Sequence, residues 1–143
     1  MMEISELYTQ LIIDHQKNPR NYGILEKKDK EVHLTNSSCG DEIFLQVKLV
    51  QNKIKDIAFY GHGCAISTAS ASIMTELVKG ESKEKALRLY EEFLEMVRTG
   101  KNPSSLLKDA CVFQGISLYP LRVKCATLAW HALKEVLTGA RAL

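Results

Sequence analysis

The sequence predicts an α+β fold: a small three-stranded antiparallel sheet with helices packed on one side of it. Three observations predict it. Between residues 32 and 59, apolar and polar residues alternate in short runs, the period of a strand with one buried face. Tight polar connections separate those runs, which favours antiparallel neighbours. Before and after them, apolar residues recur at helical spacing, so the helices are grouped together instead of alternating with strands.

Ile4, Leu7, Tyr8, Leu11, Ile12 and His15 form one stripe at helical spacing. Asn18-Pro19 ends that helix, because proline disfavours a helical residue before it and has no N–H to continue the ladder. Residues 19–30 read as a polar connection. Val32 and Leu34 mark the first strand, and Ile43, Leu45, Val47 and Leu49 mark the second. Gln51-Asn52-Lys53 turns the chain, and Ile57 and Phe59 lie on one face of the third strand. Residues 64–79, rich in Ala and Ser, form a helix that Gly80 stops. Ser82 caps the next, whose stripe is Ala86, Leu89, Tyr90, Phe93, Leu94 and Val97, and Gly100 closes it. Residues 101–119 are ambiguous, with room for one short helix. The last helix runs over Pro120–Thr138, with Pro in its first turn and Gly139 beyond its end.

A length of 143 residues suits a single domain, residues 1–143, able to bury its own core. The net charge is only +2 and the basic residues are scattered, which predicts neither a nucleic-acid partner nor a membrane surface. No apolar run reaches the length of a membrane span. The first residues, Met1-Met2-Glu3-Ile4-Ser5, lack a basic segment followed by an apolar one, so a cytoplasmic location is expected. Thiols stay reduced there. The four cysteines then read as ligands, nucleophiles or core residues and not as disulfides.

Cys39 sits in Ser37-Ser38-Cys39-Gly40-Asp41, between two strands. Glycine lets the backbone bend, and the carboxylate two residues on can return to the same ion. Cys64 follows Gly61-His62-Gly63 at a strand-to-helix junction, where free N–H groups stabilise a thiolate. Cys125 shares a helix face with Leu121, Leu128 and Ala132, which turns its sulfur inward. Three thiolates and one carboxylate, from Cys39, Cys64, Cys125 and Asp41, form a sensible tetrahedral zinc set. Their wide spacing matches no compact zinc finger, and Cys125 and Cys64 also fit a packing role. Cys39 in a polar loop does not. Cys111 has no ligand-like neighbour and is assigned to structure. His15 fits a hydrogen-bonded boundary histidine. His62, two residues before Cys64, is an outside candidate ligand.

These residues resemble the IscU/NifU N-terminal family and, within it, the SufU branch. The resemblance rests on Asp14-His15 with Asn18-Pro19-Arg20-Asn21, on Cys39-Gly40-Asp41, on Gly61-His62-Gly63-Cys64 leading into Ser70-Ala71-Ser72, and on Arg122-Val123-Lys124-Cys125-Ala126-Thr127-Leu128-Ala129-Trp130. Three departures from the IscU pattern point to the SufU branch. Lys124 stands where those scaffolds have a histidine before the last cysteine. Leu118-Tyr119-Pro120-Leu121-Arg122-Val123-Lys124 replaces their chaperone-recognition sequence. The interval from Cys64 to Cys125 is longer, with the extra residues around 98–114.

The resemblance implies an IscU/SufU-like fold and a zinc-dependent sulfur acceptor, in effect a sulfurtransferase. A pyridoxal-phosphate cysteine desulfurase of the SufS type would supply persulfide sulfur, and a SufBCD-type complex would receive it for iron–sulfur cluster assembly. Cys39 is the implied acceptor, since Cys64 and Cys125 are anchored to helices. Transfer then requires Cys39 to leave the ion, with a desulfurase side chain taking its place. Arg122, one turn before Cys125, would offset the −2 charge of three thiolates, a carboxylate and Zn²⁺. The other implied reading is a scaffold or carrier holding a transient iron–sulfur cluster on the same cysteines.

Overall fold

A computed structural model describes residues 9–139. The elements are α1 (Gln10–Lys17), β1 (Lys30–Asn36), β2 (Asp41–Val50), β3 (Lys53–His62), α2 (Ala65–Val78), α3 (Lys83–Thr99), a 3₁₀ segment (Ser105–Leu118) and α4 (Pro120–Thr138). The strands form one antiparallel sheet in the order β1-β2-β3. α4 packs across β1 and β2, and α2 lies against β3, so the expected α+β arrangement holds. No helix among the described residues is long and apolar enough to cross a membrane.

Period-two alternation sets the sheet's two faces. Leu34, Ile43, Leu45, Val47, Ile57 and Phe59 point into the core. On the outer face His33, Phe44 and Tyr60, paired in register, stack at centroid distances of 4.1 and 4.7 Å. The β2–β3 turn holds Gln51 and Asn52 at φ 51° and 65°, the backbone of a two-residue hairpin turn whose twist matches its strands.

Thr9 caps α1 by accepting from the Ile12 N–H, and the helix ends before Pro19 as expected. Ile12 and His15 are its buried residues; Ile4, Leu7 and Tyr8 of the expected stripe lie outside the described residues. His15 is the hydrogen-bonded histidine the sequence suggested: Nδ1 lies 2.6 Å from Ser72 Oγ. Burial holds its ring below the usual basicity. The polar connection does more than connect. Its Asn21 carbonyl accepts from the Phe59 N–H and its Gly23 N–H donates to the Phe59 carbonyl, so residues 21–23 run along the free edge of β3.

α2 is surrounded on nearly every side, which explains its Ala and Ser content. Small residues admit close neighbours, and the hydroxyls find partners: Ser70 Oγ donates to the Ala126 carbonyl at 2.6 Å and accepts from Trp130 Nε1 at 3.1 Å. Trp130 stacks on Phe93 at 4.2 Å, and Phe113 meets Phe93 edge-on. Ser82 caps α3 and Gly100 ends it at φ 75°.

Residues 101–119 resolve into the 3₁₀ segment. Its buried residues are Leu107, Ala110, Phe113 and Ile116. They recur every third residue, the repeat of a 3₁₀-helix, so no 3.6-residue stripe was there to read. Lys108, at φ 46° and ψ −124°, breaks the segment near its start. α4 has the expected bounds, with one correction. Leu121 does not share the inward face with Cys125; it is 60% exposed, because the first turn of α4 projects beside a cavity instead of into the core.

Candidate metal centre

Asp41 opens β2 in phase with Ile43, Leu45 and Val47, so the strand's alternation carries its carboxylate to the buried face, where it is 2% exposed. A buried carboxylate needs hydrogen bonds to offset lost hydration. Asp41 Oδ1 accepts from the Cys64 N–H at 2.9 Å, and Oδ2 accepts from Asn36 Nδ2 at 3.2 Å. Asn36 ends β1 directly opposite Asp41. Its amide also points at Cys125 Sγ, 3.9 Å away.

Cys39 lies in the β1–β2 turn, half-buried, with its N–H donating to the Asn36 carbonyl. Gly40 beside it takes φ 69°, a left-handed conformation that lets the chain re-enter the sheet at once. Cys125 comes from the interior of α4 and is fully buried. Its sulfur lies 3.0 Å from that of Cys39. The donor atoms of Cys39, Asp41 and Cys125 all lie within 4.8 Å of one another. Zinc bonds of about 2.0–2.3 Å put tetrahedral donors roughly 3.3–3.8 Å apart, so this gathering of two sulfurs and one oxygen fits such an ion.

Cys64 stands outside that tight group but is chemically joined to it. As N-cap of α2 it accepts from the Ser67 N–H at 3.5 Å. A hydrogen bond from Cys125, helped by N–H groups of the first helical turn, pulls the Cys64 thiol down to about 6. The same bond, with burial and the nearness of Cys39, pushes the Cys125 thiol up. Cys64 therefore loses its proton first and Cys125 last.

The other sequence candidates separate cleanly. Arg122 lines a cavity of about 570 Å³ together with Cys39 and Cys64, so it faces the thiols as the charge argument required. His62 is 73% exposed and pairs with Glu42 at 3.2 Å, away from the group. Cys111 donates weakly to the Ser104 carbonyl and lies apart from the other thiols. Lys124 lines a different cavity. Two residues escaped sequence reasoning. Asn36 was legible only through its register with Asp41. Gly63 had a signal, its place before Cys64, but its reason is spatial: a Cβ there would sit 2.7 Å from Asp41 Oδ1 and 3.1 Å from Ser67 Oγ. Gly63→Ala is accordingly expected to cost about 1–3 kcal/mol of stability and to weaken metal binding by displacing Asp41. Denaturant unfolding and a zinc titration check this; unchanged values in both would show that Asp41 has room to move.

Residues 7–126 match the family described as NifU-like N terminal domain. The chain is 46% identical over 138 residues to a protein of Streptococcus pyogenes serotype M1 named iron–sulfur cluster assembly scaffold protein IscU, covering 96% of this chain and 86% of that one. It is 44% identical over 133 residues to one of Bacillus subtilis (strain 168) named zinc-dependent sulfurtransferase SufU, covering 92% and 90%. A crystal structure from Fervidobacterium islandicum AW-1, described as a candidate iron–sulfur cluster assembly scaffold protein for the SUF system, superposes with a TM-score of 0.88 at 35% identity, covering 95% of this chain and 100% of that one.

Proposed function

Since the chain belongs to the NifU-like N-terminal domain family, we propose that it accepts persulfide sulfur from a cysteine desulfurase and delivers it for iron–sulfur cluster assembly. The donor set for zinc is Cys39, Asp41, Cys64 and Cys125, with Arg122 offsetting the negative charge. The observation that carries the reading is the gathering of Cys39, Asp41 and Cys125 beside an open cavity, with only Cys39 on a turn. Bound zinc supplies a positive charge that keeps the thiols deprotonated.

The residues divide the work by their anchoring. Cys125 is fixed by α4 and Cys64 by the cap of α2, so both hold position. Cys39 moves with a short turn. The cavity beside it admits the persulfide-bearing segment of a SufS-type desulfurase, and exposed Leu118 and Leu121 give that segment an apolar seat. The Cys39 thiolate attacks the outer sulfur of the persulfide. A new S–S bond forms at Cys39, the old one breaks, and the desulfurase cysteine leaves as a thiolate. A SufBCD-type complex then takes the sulfur from Cys39. These steps belong to the cytoplasm, where desulfurase and thiols stay reduced.

A second reading is favoured by the 46% identity to a relative named as a scaffold: a cluster assembled on the same cysteines. Lys124, exposed and turned to another cavity, offers no ligand to such a cluster. Anaerobic purification with metal analysis and visible absorption separates the two, zinc without colour supporting sulfur transfer. The direct test is a brief reaction with desulfurase and cysteine followed by peptide mass spectrometry. The added sulfur is expected on Cys39; its first appearance on Cys64, Cys111 or Cys125 would reduce Cys39 to a structural ligand.

A further inference from the structure

We propose that a second cavity, on a different face of α4 from the thiols, binds a small organic dianion. This cavity has a volume of about 570 Å³, within the range of sites that enclose small ligands. Arg98 at the end of α3 and Lys124 on α4 both line it. Among the described residues neither side chain takes part in an ion pair, and no carboxylate lines the cavity. Two positive charges therefore face one space without an internal counter-charge.

The remaining walls define the shape of the occupant. Ser117 lines the cavity with a hydroxyl that has no hydrogen-bond partner among the described residues. His131 lines it too, and its Nδ1 is engaged with Tyr90 Oη at 3.1 Å, which leaves the Nε2 edge for the cavity. Burial and the charge of Arg98 keep that ring neutral at physiological pH, so it adds a hydrogen-bonding edge and no third charge. Val123 and Leu128 supply an apolar wall. A planar guanidinium, a flexible ammonium and a free hydroxyl suit the oxygens of a phosphate monoester or a dicarboxylate, and the apolar wall suits a compact hydrocarbon body. The proposal does not depend on the metal centre.

The test uses the purified full chain, ¹⁵N-labelled, with phenyl phosphate, phthalate and neutral benzyl alcohol as probes. Saturable amide shifts at Ser117, Lys124 and Thr127 are expected with one or both dianions and not with benzyl alcohol; the tighter probe identifies the head group. Arg98→Gln combined with Lys124→Gln is expected to weaken binding at least about tenfold, the loss of charge-assisted hydrogen bonds from both side chains. Both positions are exposed, so the fold is expected to persist. Ser117→Leu, which fills the cavity without touching either charge, should also abolish the shifts. Equal affinity in the double variant, shifts confined to residues 37–41, equal response to benzyl alcohol, or no saturable shift at millimolar concentration would each overturn the proposal.

Discussion

Cys39→Ser is expected to bring desulfurase turnover, measured as sulfide or alanine release, down to the rate of the desulfurase alone. A serine hydroxyl stays protonated at neutral pH and is a far weaker nucleophile toward sulfur than a thiolate, so the S–S exchange has no starting species. The variant should otherwise look normal. The turn at residue 39 is held by its backbone N–H on the Asn36 carbonyl and by the left-handed Gly40, neither of which involves the thiol. Unfolding stability is therefore expected to change by no more than about 1 kcal/mol in the metal-free protein. Cys111→Ser is the matching control, since its sulfur touches only the Ser104 carbonyl, and it should transfer sulfur at the original rate. Stimulation retained by Cys39→Ser and lost by Cys111→Ser would reverse the assignment.

Cys125→Ala is expected to abolish tight zinc retention and to lower the melting temperature of zinc-loaded protein. Cys125 is the fully buried member of the group and touches both other thiols, so no water-exposed donor can replace it. A ligand that binds only the folded chain stabilises it by about 2.7 kcal/mol at a hundredfold excess over Kd, which for a chain of this size corresponds to roughly 5–10 °C. The variant should therefore melt at nearly one temperature with and without zinc, whereas the original chain should show the full difference. Chelation of the original chain should reproduce the variant's value. Full zinc content after dialysis of Cys125→Ala, or of Cys64→Ala, would remove that cysteine from the donor set.

The fold was legible wherever one periodicity dominated. Ile43, Leu45 and Val47 announced β2 because their alternation is also the alternation of burial. Asn18-Pro19, Gly100 and Gly139 announced helix ends because backbone conformation, and not tertiary context, decides them. Leu121 misled because helical phase says which face a residue occupies and not whether that face has a neighbour. The site was legible as residue types, since sulfur and carboxylate donors at element boundaries are conspicuous. Its supports were not. Asn36 reaches Asp41 only through strand register, and Gly63 is required only by the approach of the Asp41 carboxylate. Both depend on which strands pair and how closely a helix start meets them, information that no local pattern holds.

The row of Leu107, Ala110, Phe113 and Ile116 bears on how this stretch of chain can change in length. With three residues per turn, each position advances the row by about 120°. Deleting or inserting one residue between Leu107 and Ile116 swings everything downstream onto the wrong side, and Phe113 loses its place against Phe93. A change of three restores the phase. Drift in the length of this insert is therefore constrained to whole turns, and its tolerance resembles that of a reading frame more than that of a surface loop.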